Sequence, residues 1–429
     1  MKYRFLLFLI LIPLFATLQI TAFSKIPKKP RILISTDIGG TDPDDNQSLV
    51  HFMMYSDLFN IEGIVSSPSF GNGSKQEILR MIDIYTKDYA KLKRKNPRLL
   101  SPKRLKKLCT QGRKGLAPYC GYDKPTEGSK LIVQQAKRKD LRPLYILVWG
   151  TLEDVAQALH DAPEIAKNIR IYWIGGPNKK WGVNSYSYVV EHFPDLWFIE
   201  NNATYRGLIS SAKKQDRYNA LYYEQVIAKG GNMGTDFINY YGGIVKMGDT
   251  PSLLYMMHGD ASNPEGESWG GSFERMTFSP RTIYYHGTNK PCEIAPYSVL
   301  ELRFKGKNLP KENIYKPAFT ITIDKQNWEG VYIGNREYSV RYSPKAPTTL
   351  DYLTHSDMPE LDGLTGKFTV SDVWPGKQTA KSWKLGCNWY TDKADKSLFD
   401  GKWQGAQTIL KWRNELLEDW AKRWSWLYE

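Results

Sequence analysis

The sequence predicts an α/β fold: a mostly parallel sheet flanked by helices, carrying a β-rich inserted module. Three observations support this. From Arg31 the chain reads strand, loop, helix, strand. Ile32 to Ser35 is apolar and β-branched, Gln47 to Leu58 sets Leu49, Phe52, Met53 and Leu58 at helical spacing, and Ile61 to Ser66 is strand-like again. The alternation returns at Leu144 to Val148, followed by a helix through Val155, Ala156 and Leu159, and at Ile169 to Ile174 ahead of Gly175 and Gly176. Between Phe278 and roughly Trp383 the texture changes to short pieces such as Val299 to Phe304, Phe319 to Ile323, Val331 to Ile333 and Ser339 to Tyr342. Gly, Pro and Asn separate them, which predicts a sandwich-like β module.

Four segments are expected. Residues 1–24 read as a cleaved signal peptide: Lys2 and Arg4 precede an apolar run from Phe5 to Ala22, and Ala22 and Ser24 are spaced like a processing site. The run is shorter and more interrupted than a membrane span, so the protein is expected in the periplasm or medium with no stable span after cleavage. Residues 25–277 form the α/β domain and 278–400 the β-rich module. Residues 401–429 form a helix whose stripe of Trp412, Leu416, Trp420, Trp424 and Leu427 returns to dock on the α/β body.

At 429 residues the chain exceeds the usual single domain, and its 14 Trp, 27 Tyr and 16 Phe suit sugar-stacking surfaces and a packed core equally. The net charge of +14, densest from Lys91 to Lys107, comes with no nucleic-acid motif and reads as a solvated basic surface. A serine-hydrolase elbow, a phosphate-binding loop and a dinucleotide glycine fingerprint are all missing from the sequence, which argues against those chemistries. Four cysteines in a chain bound for an oxidising compartment suggest a disulfide, with Cys109 to Cys120 as the first choice; their spacing lacks a zinc-binding pair.

The chemistry concentrates in one loop. Asp37, Asp42, Asp44 and Asp45 lie between the first strand and the first helix, at the carboxyl edge of the sheet where open α/β folds bind ligands. One such Asp would simply cap the helix, and Asp42-Pro43 makes a turn. Four carboxylates so close repel one another, and a hard cation such as calcium is the simplest way to hold them together.

With these residues in view, the chain resembles the nucleoside-hydrolase superfamily, whose opening motif is an Asp ending the first strand, a glycine loop and a consecutive Asp pair. It is most similar to the nucleoside-hydrolase-like domain of a family named after a cellulose-binding protein. Matching stretches are Arg31 to Leu49, Ile61-Glu62-Gly63, Glu127-Gly128-Ser129, Val148-Trp149-Gly150, Ile174-Gly175-Gly176, Glu200-Asn201-Asn202, Gly248-Asp249-Thr250-Pro251-Ser252 and Ser268-Trp269-Gly270-Gly271. The ending Gln407 to Trp424 also resembles that branch, which makes the β-rich module an insertion.

The resemblance implies that Asp37 binds calcium and acts as base toward the attacking water, that Asp45 chelates calcium, and that Asp44 holds sugar hydroxyls. Asn72, Glu200 and Asn202 would also contact the sugar, and the backbone carbonyl of Trp149 would be a calcium ligand. The last metal-ligating Asp is placed at Asp260, with Glu265 as the rival. Trp149, Trp181, Tyr186 and Trp269 lie near the loop edge, and Trp269 is the strongest candidate to stack on ligand because glycines follow it. The implied reaction is calcium-dependent hydrolysis of a glycosidic or N-glycosidic bond. The rival is a noncatalytic carbohydrate-binding protein. Partners are then a small sugar-containing substrate or a polysaccharide, and homo-oligomers stay compatible with either reading. Ser35, Asn46 and the lengthened loop from Gly40 to Pro43 depart from simple nucleoside hydrolases, which puts nucleoside specificity in doubt.

Overall fold

The structure, a computed structural model, describes residues 29–209, 221–288, 291–371 and 374–428; the expected signal segment 1–24 lies outside them. Among the described residues, no helix is long and apolar enough to cross a membrane.

The body is an eight-stranded sheet. Its strands are β1 (Arg31–Thr36), β2 (Asn60–Ser66), β3 (Cys109–Gln111), β4 (Leu144–Val148), β5 (Ile169–Ile174), β6 (Trp197–Asn201), β7 (Phe273–Arg275) and β8 (Trp389–Asp392), in the order β3-β2-β1-β4-β5-β6-β8-β7. All neighbours run parallel except β7, which is antiparallel to β8. Both faces are covered, so β1 and β4 are buried along their whole length. Ile32 and Ile34 enter one core with α1 (Asp44–Met54) and α2 (Lys75–Lys95). Leu33, one residue out of phase, enters the other with α3 (Glu127–Ala136) and α4 (Glu153–Asp161). Further helices that position the site are α5 (Gly176–Trp181), α6 (Val183–His192), α7 (Thr250–Met257) and α8 (Arg413–Trp424).

The β-rich residues form a separate eight-stranded sheet from Arg281–Tyr285 to Thr365–Val370. Strands Val299–Lys305 and Thr348–His355 stand four positions apart in its order. On a flat sheet that is roughly 19 Å. The rings of Phe304 and Tyr352 nevertheless lie 6.0 Å apart, so the sheet curls around its own core.

Two expectations change. The chain re-enters the α/β sheet at β8 rather than at residue 401, through a four-residue strand too short to register as a periodic pattern. Asp392 on β8 then accepts the N–H groups of Asn202, Ala203 and Thr204 at 2.9 to 3.1 Å, clamping the turn after β6. The Cys109–Cys120 bridge is not made, and all four cysteines are free. Pairing with β2 turns the Cys109 thiol into the body, where it donates to Leu105. Gly121 beside Cys120 is seated instead on Asn184 and Tyr188 of α6.

The terminal helix docks as its stripe predicts: Trp420 and Trp424 are fully buried, and Trp420 stacks on Tyr222 at 5.6 Å. Trp420→Ala should cost about 3 to 5 kcal/mol in denaturant unfolding. Alkylation and mass measurement should find Cys387 reactive in the native protein and Cys109 and Cys292 only after unfolding, with no bridged peptide.

Candidate active site

Strand order reverses between β1 and β4, so the loops that leave their carboxyl ends diverge and open a crevice. Asp37 sits where β1 ends. Asp44 and Asp45 occupy the first turn of α1, where the positive helix end favours carboxylates. A pocket of about 300 Å³ lies between them and Trp149 at the end of β4. Two glycines allow the walls to close in. A Cβ on Gly150 would stand 2.8 Å from the Asp37 Cβ, and one on Gly248 would stand 2.2 Å from an Asp44 carboxylate oxygen.

The fourth carboxylate is Asp249, which precedes α7. Asp44, Asp45 and Asp249 each offer an oxygen, all within 4.8 Å of one another. At that separation two unit charges repel by about 3 kcal/mol at an effective dielectric of ~20. Burial raises the Asp37 carboxyl to about 6, opposed by hydrogen bonds from Asp45 and Ser69. Burial, reinforced by the neighbouring Asp42 charge, raises Asp44 to about 7. Burial and then the surrounding carboxylates push Asp45 and Asp249 well above the usual range. Thr36 donates its hydroxyl to Asp45. Lys246 bonds Asp42 at 2.6 Å and stands 3.8 Å from Asp44, too little positive charge for the set.

These residues fit a hard divalent cation. Asp249 Oδ2 is buried with no hydrogen-bond partner among the described residues, and oxygen-only donors are what calcium selects. Trp149 lines the pocket, and its carbonyl accepts from Asn178 Nδ2 at 2.7 Å.

The structure thus brings Asp37, Asp44, Asp45 and Trp149 together and corrects the remaining placements. Asp260 is exposed and accepts from Ser262 at 2.7 and 2.9 Å. It follows the far end of α7, and an eight-residue helix carries it roughly 12 Å from Asp249. Glu265 is exposed as well. The missed ligand candidate, Asp249, stood in a matched stretch directly before Thr250-Pro251, a helix-start signal that marked it as loop-facing.

Glu200 and Asn202 are fully buried beneath the pocket. Glu200 pairs with Lys179 and accepts from Tyr186 at 2.8 Å, while Asn202 bonds Glu200 and the Gly176 N–H, so both brace the start of α5. Asn72 is exposed outside the pocket lining. Trp269 stacks on His258 at 5.1 Å beyond the far end of α7, and Tyr186 is core. The pocket's aromatic walls are Phe70, Trp149, Trp181 and Tyr205, and Lys345 reaches in from the β module.

Residues 31–273, more than half of the chain, match the family described as cellulose-binding Sde182, nucleoside hydrolase-like domain. The chain belongs to this family. Among solved structures, this Sde182-type chain is similar to a nucleoside hydrolase-related protein from Saccharophagus degradans that is associated with carbohydrate metabolism. Identity is 16%, the TM-score is 0.50, and the match covers 80% of this chain and 99% of that one. It is also similar to an inosine-uridine preferring nucleoside hydrolase from Bacillus anthracis, at 14% identity and a TM-score of 0.39, over 59% and 87% of the two chains. No curated protein matches the sequence. The fold class is therefore that of the nucleoside hydrolases.

The raised carboxyls give the site a pH signature. Without metal, the folded protein retains protons that the unfolded chain releases above pH ~4, so stability is full near pH 4 and falls as pH rises through 6 and 7. Asp37 and Asp44 should each contribute on the order of 2 to 4 kcal/mol to the loss. Thermal unfolding after chelation should show this fall, and added calcium should restore more stability at pH 7.5 than at pH 5. A calcium effect independent of pH would argue against a carboxylate metal site.

Proposed function

We propose that the protein is an exported, calcium-dependent hydrolase of glycosidic or N-glycosidic bonds. The convergence of Asp37, Asp44, Asp45 and Asp249 on one buried crevice at the strand-order reversal supports this reading most directly. Placement outside the cytoplasm rests on the apolar run from Phe5 to Ala22. Asp37, Asp45, Asp249 and the Trp149 carbonyl would hold the ion. Bound there, calcium would orient a water and lower its pKa.

Asp37 would take a proton from the attacking water as the water oxygen bonds to the anomeric carbon; the electron pair of the breaking bond goes to the leaving group, which takes up a proton from solvent. Asp44 lines the pocket and accepts sugar hydroxyls, fixing the ring as positive charge develops on it. Trp149 and Tyr205, both buried, keep bulk water from the reacting face. The second reading, a carbohydrate-binding protein without turnover, is favoured by the family's cellulose-binding description.

Sugar release from a panel of nucleosides and plant-type glycosides, with and without calcium, separates the two. Asp37→Ala should lower turnover about 10²- to 10⁴-fold. Asp249→Asn should weaken calcium binding about tenfold or more, whereas Asp260→Asn should leave it unchanged. Polysaccharide bound without turnover by both the native chain and Asp37→Ala would favour the binding reading.

A further inference from the structure

The acidic pocket does not end at its own walls. Phe70 and Trp181 also border a second cavity of about 750 Å³, a cleft between the α/β body and the β module. Phe70 is 56% exposed, its ring lies 4.6 Å from Trp181, and Trp181 stacks at 5.5 Å and 17° on Trp328 of the module. A line of three rings thus leads from the carboxylates into the cleft.

Three polar atoms of residues lining this cleft are buried with no hydrogen-bond partner among the described residues: Asn184 Oδ1, Gln326 Oε1 and Trp328 Nε1. Two accept and one donates, from α6 on one wall and strand Gln326–Gly334 on the other. Buried polar groups are normally paired, and a side-chain rotation that turns these three toward the cleft would present two acceptors and a donor to a ligand there. The charged side chains that line the cleft balance in number, Arg113 and Arg341 against Asp123 and Glu329, which leaves little attraction for a polyanion. Aromatic rings interleaved with mixed hydroxyl-matching groups and balanced charge suit a neutral sugar chain.

We propose that the interdomain cleft binds a neutral oligosaccharide, with one terminal ring in the acidic pocket and two or more further rings between Asn184, Gln326 and Trp328. This rests on the reading that the acidic pocket takes a sugar ring, and it makes the substrate a glycan chain rather than a free nucleoside.

Calorimetry on the full native chain with calcium, using thio-linked gluco-, xylo- and manno-oligosaccharides of one to four rings that resist hydrolysis, tests this. At least one series should tighten about tenfold or more from monomer to tetramer. Gln326→Leu and Trp328→Phe, which remove a polar atom but keep bulk, should each weaken the tetramer about fivefold and leave the monomer and calcium affinities unchanged. Equal affinity for monomer and tetramer, or tetramer affinity unaffected by both variants, overturns the cleft. So does calcium binding without affinity for any series, which leaves the metal site standing. Chain-length-dependent binding without calcium binding or turnover in the native protein keeps the cleft and removes the hydrolase reading.

Discussion

Four carboxylates held in one buried crevice are the constraint around which the body is arranged. Each is costly to ionise away from water, and each makes its neighbours costlier. Such a set persists because the surrounding backbone fixes it. Asp37 is carried by a fully buried strand, Asp44 and Asp45 by the first turn of α1, and Asp249 by the entry to α7. Close approach of the β4 and α7 loops at Gly150 and Gly248 leaves the carboxylates little room to swing apart. A divalent cation bound there would turn that repulsion into attraction and would link metal binding, proton release and stability at one place.

A second tier of buried polar groups supports the first without entering the pocket. The Lys179–Glu200 pair, with Tyr186 and Asn202, fixes the start of α5, and α5 carries Asn178 and Trp181 to the pocket wall. Asp392 clamps the turn after β6 through three backbone N–H groups. Because Asp392 lies on a strand that follows the β module, the module is tied to the body on both sides, by β7 before it and β8 after it. This double attachment holds Lys345 at the acidic pocket and Trp328 against Trp181. A tail joined once would have more freedom to leave both contacts.

The parts of the site that were legible in the sequence are those local in the chain. Asp37, Asp44 and Asp45 fall within nine residues, between a strand pattern and a helix pattern, so their convergence follows from one turn of backbone. The strands of the body were legible for the same reason, since burial on both faces writes a continuous apolar run. Where the reading failed, distance along the chain was the cause. Asp260 was chosen with Glu265 as its rival, whereas the carboxylate at the pocket end of α7 is Asp249, and an eight-residue helix is enough to separate it from Asp260. Glu200, Asn202 and Trp269 sit in matched stretches, but whether such residues face a ligand or brace its walls depends on partners from other elements: Lys179 and Tyr186 for Glu200, Gly176 for Asn202 and His258 for Trp269.

The sequence by itself determined the α/β class, the position of the acidic loop between first strand and first helix, and the apolar stripe of the terminal helix. Each follows from periodicity or from charge repulsion within a short span. Only the tertiary structure decided that Asp249 completes the carboxylate set, that the cysteines remain unpaired and that β8 stitches the module into the sheet. It alone opened the cleft between Asn184 and Trp328. These features arise from contacts between segments far apart in the chain, where packing and strand order, rather than local pattern, fix which side chains meet.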